Sequence, residues 1–296
     1  MKKILLIGGC GYIGSRLYKH LISKDFIVKI VDIGWFNINQ KNVLNIDYRN
    51  LSESFVKEYN SIVLLAGHSS VKMCDTEIQN SWINNVSNFV GLVEKMNKDQ
   101  QLIYASSGSV YGISGSHIFQ PVNNYDITKY VLDLECEKLI NKGYNLVGLR
   151  FGTVNGASPN LRCDLMINSM FKSAIQTGKI IINNKNIKRP LLAISDLCRA
   201  IEKIITHDKK VNGIFDLYSF NDKVIDIALD VSEVTNAKIN EIEDRDGVYD
   251  YEMKNTEFHS NFDFKFQGTR KTIIQELVNW ADQMVYGDRN TPKKYS

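Results

Sequence analysis

Tyr125 and Lys129 stand four residues apart in the run Tyr125-Asp126-Ile127-Thr128-Lys129. At the start of a helix, that spacing sets a phenol and an ammonium on one face. A free phenol titrates near pH 10, so a tyrosine acting as a base at neutral pH needs a downward shift of about three units, roughly 4 kcal/mol. A neighbouring ammonium favours the phenolate, which is the direction required. Taken alone, Tyr-x-x-x-Lys is common by chance and fits a surface pair better than a reactive one. One loop and one strand earlier, however, comes Ala105-Ser106-Ser107-Gly108-Ser109-Val110-Tyr111-Gly112. Serines at the C-terminal end of a strand are well placed to hydrogen-bond a substrate hydroxyl.

The elements that must position these groups begin at the N-terminus. The apolar run Ile4-Leu5-Leu6-Ile7 breaks directly into Gly8-Gly9-Cys10-Gly11-Tyr12-Ile13-Gly14, and an amphipathic helix follows from Ser15 to Lys24. A buried strand ending in a glycine turn that opens a helix is how α/β proteins seat a dinucleotide. The glycines let the backbone approach the pyrophosphate, and the helix N-terminus supplies free N–H groups and a positive dipole end. An ordinary strand–helix turn with surplus glycines is the alternative. A second strand, Phe26 to Val31, ends on Asp32. A carboxylate there is placed to accept from the adenosine ribose hydroxyls, which favours NAD over NADP. A positive nicotinamide ring would also favour a Tyr125 phenolate.

Strands and helices then alternate: Ser61 to Leu65, a helical pattern from about Asn84 to Met96, Gln101 to Ala105, a helix from about Asp126 to Asn141, and Asn145 to Phe151. The expectation is an α/β fold, a doubly wound parallel sheet covered on both faces. It would occupy 1–154 and bind the dinucleotide. A smaller C-terminal substrate-binding domain would occupy 155–290, with a helix near Leu165 to Thr177, a strand at Lys179 to Ile182 and a helix at Ser195 to Ile205. Part of it, about 195–219, would return to the main sheet, and 291–296 reads as a frayed tail.

At 296 residues, 44% hydrophobic and 23% charged, the composition is that of a globular protein with a large core. A net charge of +3, spread evenly, points away from nucleic acid as the partner. The Met1-Lys2-Lys3 start is followed by too short an apolar run for a signal peptide, and no stretch approaches the ~20 apolar residues of a membrane span. Cys10, Cys74, Cys136, Cys163 and Cys198 are odd in number and far apart, which reads as reduced cytoplasmic thiols. The five histidines show no ligand spacing, so no metal is expected.

Together the glycine turn, the Ser-Ser-x-x-Val-Tyr-Gly strand end and Tyr-x-x-x-Lys resemble the extended short-chain dehydrogenase/reductase superfamily, specifically the NAD-dependent epimerase/dehydratase family acting on nucleotide sugars. The resemblance covers nearly the whole chain. It implies a Rossmann domain, NAD as cofactor, a homodimer, and Ser107, Tyr125 and Lys129 as the catalytic set. Lys129 would hold the cofactor ribose and lower the tyrosine pKa. The implied cofactor lining takes in Gly8, Gly11, Tyr12, Ile13, Gly14, Asp32, Ile33, Asp47, Tyr48, Leu65, Ala66, Gly67, Asn85 and Phe151, besides Tyr125 and Lys129. Leu149-Arg150-Phe151-Gly152-Thr153-Val154-Asn155-Gly156 is similar to the strand that enters the substrate domain, although Thr153 stands where many members have asparagine. Arg189 and Arg245 lie where diphosphate-binding arginines are common; each fits a solvated surface charge as well. His68 lies beside the cofactor loop, either as a substrate contact or as a hydrogen-bonded structural histidine. With Ser107 and Thr153, these three complete the expected substrate contacts.

Departures from the family narrow the reaction. Gly108 and Ser109 stand where 4,6-dehydratases carry an acidic pair, and no cysteine of the 3,5-epimerising reductases sits near Ser107. The stretch between Tyr111 and Tyr125 is also short. The expected chemistry is redox at one sugar carbon, C4, of the 4-epimerase type. A 4-dehydrogenase or 4-ketoreductase with net redox change is the alternative, and a non-catalytic dinucleotide sensor the third reading.

Overall fold

The computed structural model describes residues 2–35, 41–113 and 118–287. The tail expected at 291–296 lies outside the described residues. A seven-stranded parallel sheet is its centre, built from β1 (Lys3–Ile7), β2 (Ile27–Val31), β3 (Val43–Leu44), β4 (Ser61–Leu64), β5 (Gln101–Ser107), β6 (Asn145–Phe151) and the strand Gly213–Leu217. The spatial order is Gly213–Leu217, β6, β5, β4, β1, β2, β3, with every neighbouring pair parallel.

Period-2 geometry explains the unbroken apolar run of β1. Ile4 and Leu6 face one core while Leu5 and Ile7 face the other, and all four are fully buried. The core under Ile4 and Leu6 continues into Phe171, Ile201, Ile227 and Ile274, so the C-terminal half shares its interior with the sheet. That half adds the three-stranded set Thr153–Asn155, Lys188–Ala193 and Phe220–Lys223, and two short pairs, Lys179–Ile182 with Lys238–Glu241 and Asn160–Arg162 with Val285–Gly287.

The chain leaves β1 toward β2 on one side and returns beside it as β4 on the other. This reversal opens a crevice at the strand C-termini, the place where open α/β sheets bind ligands. The glycine turn and Ala66-Gly67 both lie there.

Two elements differ from the sequence reading. The glycine-turn helix, α1 (Tyr12–Ile22), starts at Tyr12 because Gly11 is its N-cap. The helical pattern expected over Asn84 to Met96 is instead a broken run: Val71–Thr76, Ile78–Trp82, a five-residue π-turn Ile83–Ser87, and Asn88–Glu94. The wide turn carries Asn85 inward, and its side chain ties the backbone of His68 to Thr128. No helix of the described residues is long and apolar enough to cross a membrane.

Candidate active site

A cleft of about 970 Å³ runs from the glycine turn, past the C-terminal ends of β4 and β5, to the C-terminal half. At one end, Gly8 has φ +85°, and an added Cβ would lie 2.6 Å from Ala66 N. A Cβ on Gly14 would lie 2.2 Å from Gly8 O. α1 has no side-chain cap, so its first amides are left for an anion. Gly11, Tyr12, Ile13 and Gly14 line the cleft beside them.

Asp32 follows β2. Its Oδ2 accepts from Cys10 N at 2.9 Å and its Oδ1 from Gly34 N at 2.7 Å. Burial raises its pKa, and the two amides pull it back. The carboxylate is thus locked toward the glycine turn, with lone pairs remaining for a ribose diol. A backbone cradle that no Cβ can share, beside an oriented carboxylate, fits a dinucleotide without a 2′-phosphate. We expect NAD(H) to bind more tightly than NADP(H), with Asp32→Ala weakening NAD(H) by about 1.5–3 kcal/mol, the scale of hydrogen bonds to a charged group. Titration of both dinucleotides checks this; equal affinity would overturn the role given to Asp32.

Ile33, Asp47, Tyr48, Leu65, Ala66 and Gly67 also line this end, and Phe151 lines the cleft beside Ser107. Asp47 caps the turn Tyr48–Asn50 and pairs with Arg49 at 2.7 Å. Tyr48 is buried, its hydroxyl donating to Asn84 O at 3.3 Å. Asn85 is a correction: it is buried behind the cleft wall, where its Oδ1 accepts from His68 N at 2.8 Å and its Nδ2 donates to Thr128 Oγ1 at 3.1 Å. It braces the Gly67–His68 turn against the helix that carries Thr128. Both ends of the amide are already occupied, and residue type alone does not reveal that.

The catalytic candidates meet at mid-cleft. Ser107 ends β5, its Oγ 2.8 Å from Ser109 Oγ. Tyr125 and Lys129 come from the helix Asn124–Asn141, which Asn123 caps by accepting from Asp126 N at 3.0 Å. Lys129 Nζ donates to Ala105 O at 2.8 Å and lies 5.9 Å from the Tyr125 ring centroid. Burial pushes the Lys129 pKa down to about 8. Burial also raises that of Tyr125, against which the Ser107 hydroxyl and the Arg162 charge pull downward. Reaching the phenolate therefore depends on these donors and cations outweighing the dry surroundings.

In the C-terminal half, Thr153 and Arg189 line the cleft. Arg189 Nη2 donates to Thr153 Oγ1 at 3.4 Å, and its guanidinium sits 5.5 Å from the Tyr249 ring centroid. His68 lines the cleft as well; it is buried, with Nδ1 2.6 Å from Ser81 Oγ and its ring 5.4 Å from that of Trp35. Burial lowers its pKa, which favours the neutral ring.

Arg245 is the second correction. It is exposed and absent from the cleft wall, because its turn is bonded to Asn184 through its own backbone at 3.0 and 2.8 Å. A different arginine faces the cleft, Arg162. It donates to Ser69 O at 3.1 Å and to Asp164 at 2.8 and 3.0 Å. Sequence reasoning missed it, its one local signal being the Arg-x-Asp spacing. Tyr249 and Tyr251 were also missed, since they arrive from a segment without periodicity. Among the described residues, no group of three metal-ligating side chains occurs.

The family model described as the NAD dependent epimerase/dehydratase family matches residues 4–217, from β1 to the last residue of the main sheet. The chain belongs to that family. Its members are NAD-dependent by description, which makes NAD the cofactor of this epimerase/dehydratase family cleft. Protein CapI of Staphylococcus aureus is 30% identical over 232 residues, 69% of this chain and 69% of that one. A putative UDP-glucose 4-epimerase of Methanocaldococcus jannaschii is 28% identical over 221 residues, 67% of this chain and 71% of that one. In fold, the family member is similar to the solved UDP-N-acetylglucosamine 4-epimerase of Methanobrevibacter ruminantium M1, in complex with UDP-N-acetylmuramic acid. The TM-score is 0.83 at 22% identity, covering 96% of this chain and 99% of that one.

Proposed function

We propose that this family member is a nucleotide-sugar 4-epimerase: it oxidises the sugar at C4 and reduces it again from the other face. NAD supplies the hydride acceptor and donor. Tyr125 takes the C4 hydroxyl proton, and Ser107 shares the hydrogen bond to that oxygen. Lys129 favours the phenolate and has N–H donors left over for a ribose. Arg162, Arg189 and Thr153 would hold the diphosphate end while the sugar turns.

The observation that carries this reading is the neighbourhood of Ser107. A Cβ on Gly108 would lie 2.5 Å from the buried Met253 Sδ, and Ser109 places a hydroxyl, not an acid, against Ser107. No carboxylate follows Ser107 to expel a hydroxyl as water, which favours simple redox over dehydration. The names of the Methanocaldococcus relative and of the solved Methanobrevibacter protein agree. Exposed apolar residues on neighbouring helices, Ile78, Trp82, Ile83 and Leu134, support a homodimer.

Calorimetric binding of UDP to the NAD-loaded protein tests the substrate class. Arg162→Ala and Arg189→Ala should each weaken it by about 1.5–3 kcal/mol, while Arg245→Ala leaves it unchanged. NAD affinity should hold in all three. Unchanged UDP affinity in both cleft variants would remove the nucleotide-sugar reading.

A further inference from the structure

Arg189 lines the cleft, and no carboxylate among the described residues pairs with it. Its one hydrogen bond among them runs from Nη2 to Thr153 Oγ1 at 3.4 Å, and its buried Nε completes none. What holds the guanidinium is the ring of Tyr249, another cleft residue, with 5.5 Å from its carbon to the ring centroid. The face of an aromatic ring attracts a cation and orients it without neutralising its charge. A carboxylate in the same place would compete with any anion entering the cleft.

Tyr249 is itself fixed from two sides. Its hydroxyl donates to Asp126 Oδ2 at 2.7 Å and accepts from Asn123 Nδ2 at 2.5 Å. Asn123 is the N-cap of the helix Asn124–Asn141, and Asp126 is fully buried in its first turn. On the other side, the backbone beyond Tyr249 is bonded to Lys188, the neighbour of Arg189 in the chain. Tyr251 N donates to Lys188 O at 3.2 Å, and Asp250 Oδ1 accepts from Lys188 N at 2.8 Å. The Tyr251 ring packs edge-on against that of Tyr249, centroids 6.2 Å apart. The ring therefore cannot leave Arg189 without breaking bonds at the helix start or along the strand Lys188–Ala193.

We infer that Tyr249 is a positioning residue for Arg189: it sets the guanidinium in the cleft wall and leaves the full positive charge available to a diphosphate. The inference rests on the diphosphate role proposed above for Arg189, and its test separates the two. Calorimetric binding of UDP to NAD-loaded protein is measured for wild type, Arg189→Ala, Tyr249→Leu, Tyr249→Phe and the double variant Tyr249→Leu with Arg189→Ala. Tyr249→Leu removes the ring face and should weaken UDP by about 5–20-fold. Tyr249→Phe keeps the ring and loses only its hydroxyl anchor, so it should recover most of that loss. On the Arg189→Ala background Tyr249→Leu should add nothing, because the group it positions is gone. NAD affinity should hold in every variant, which shows that the fold is intact. If Arg189→Ala weakens UDP but Tyr249→Leu does not, or if Tyr249→Leu costs as much without Arg189 as with it, the inference is overturned and the role of Arg189 stands. Unchanged UDP affinity in Arg189→Ala removes that role and the inference together.

Discussion

Tyr125→Phe is expected to lower turnover by roughly 10²–10⁴, the range for loss of a positioned acid–base group, while NAD stays bound. Phenylalanine keeps the ring beside Lys129 and removes only the oxygen that receives the proton. The glycine turn and Asp32 lie at the other end of the cleft and are untouched. Ser107→Ala should be milder, since it removes a hydrogen bond and leaves the base. Single-turnover reduction of bound NAD reads the chemical step directly. Near-wild-type turnover in Tyr125→Phe, with NAD bound, would contradict the assignment.

A comparably large effect, on stability, is expected at Arg150. This β6 side chain donates from Nε to Asp133 Oδ2 at 2.7 Å and from Nη1 to Tyr111 Oη at 3.3 Å, and its guanidinium lies 4.5 Å from the Phe119 ring centroid. Asp133 is 1% exposed on the helix Asn124–Asn141, about two turns beyond Tyr125, and also accepts from Tyr104 Oη at 2.9 Å. Tyr111 in turn donates to Asp216, whose pKa burial pushes up to about 6. Arg150→Ala leaves the Asp133 charge buried without its cation and should destabilise by about 3–5 kcal/mol. Burial raises the Asp133 pKa and the Arg150 charge lowers it, so the variant's folded-state value rises further above the unfolded one. A carboxyl shifted that way loses stability as pH climbs from its unfolded pKa through its folded pKa. The deficit should therefore be largest at neutral pH and shrink toward pH 4. Urea unfolding across that range measures it; a deficit below about 1 kcal/mol at neutral pH would show that the pair contributes little.

What was legible in the sequence had local physical causes. β6 spans Asn145 to Phe151 and the cap strand Lys179 to Ile182, as their apolar runs indicate. The glycine turn was readable because its constraint is steric: Gly8 and Gly14 have no room for a Cβ. Asn85 and Arg245 were misplaced because nothing local tells which way a polar side chain turns. Arg162 was missed because its strand is fixed by pairing with Val285–Gly287, far along the chain.

The most direct test of the proposed chemistry is the fate of a label at the reacting carbon. NAD-loaded protein is mixed with UDP-sugars carrying deuterium at C4, and product and cofactor are followed by NMR and absorbance. Hydride withdrawn to NAD and returned to the opposite face predicts the 4-epimer with deuterium still at C4 and no accumulating NADH. Deuterated NADH that builds up as sugar is consumed, or a dehydrated product, would contradict it.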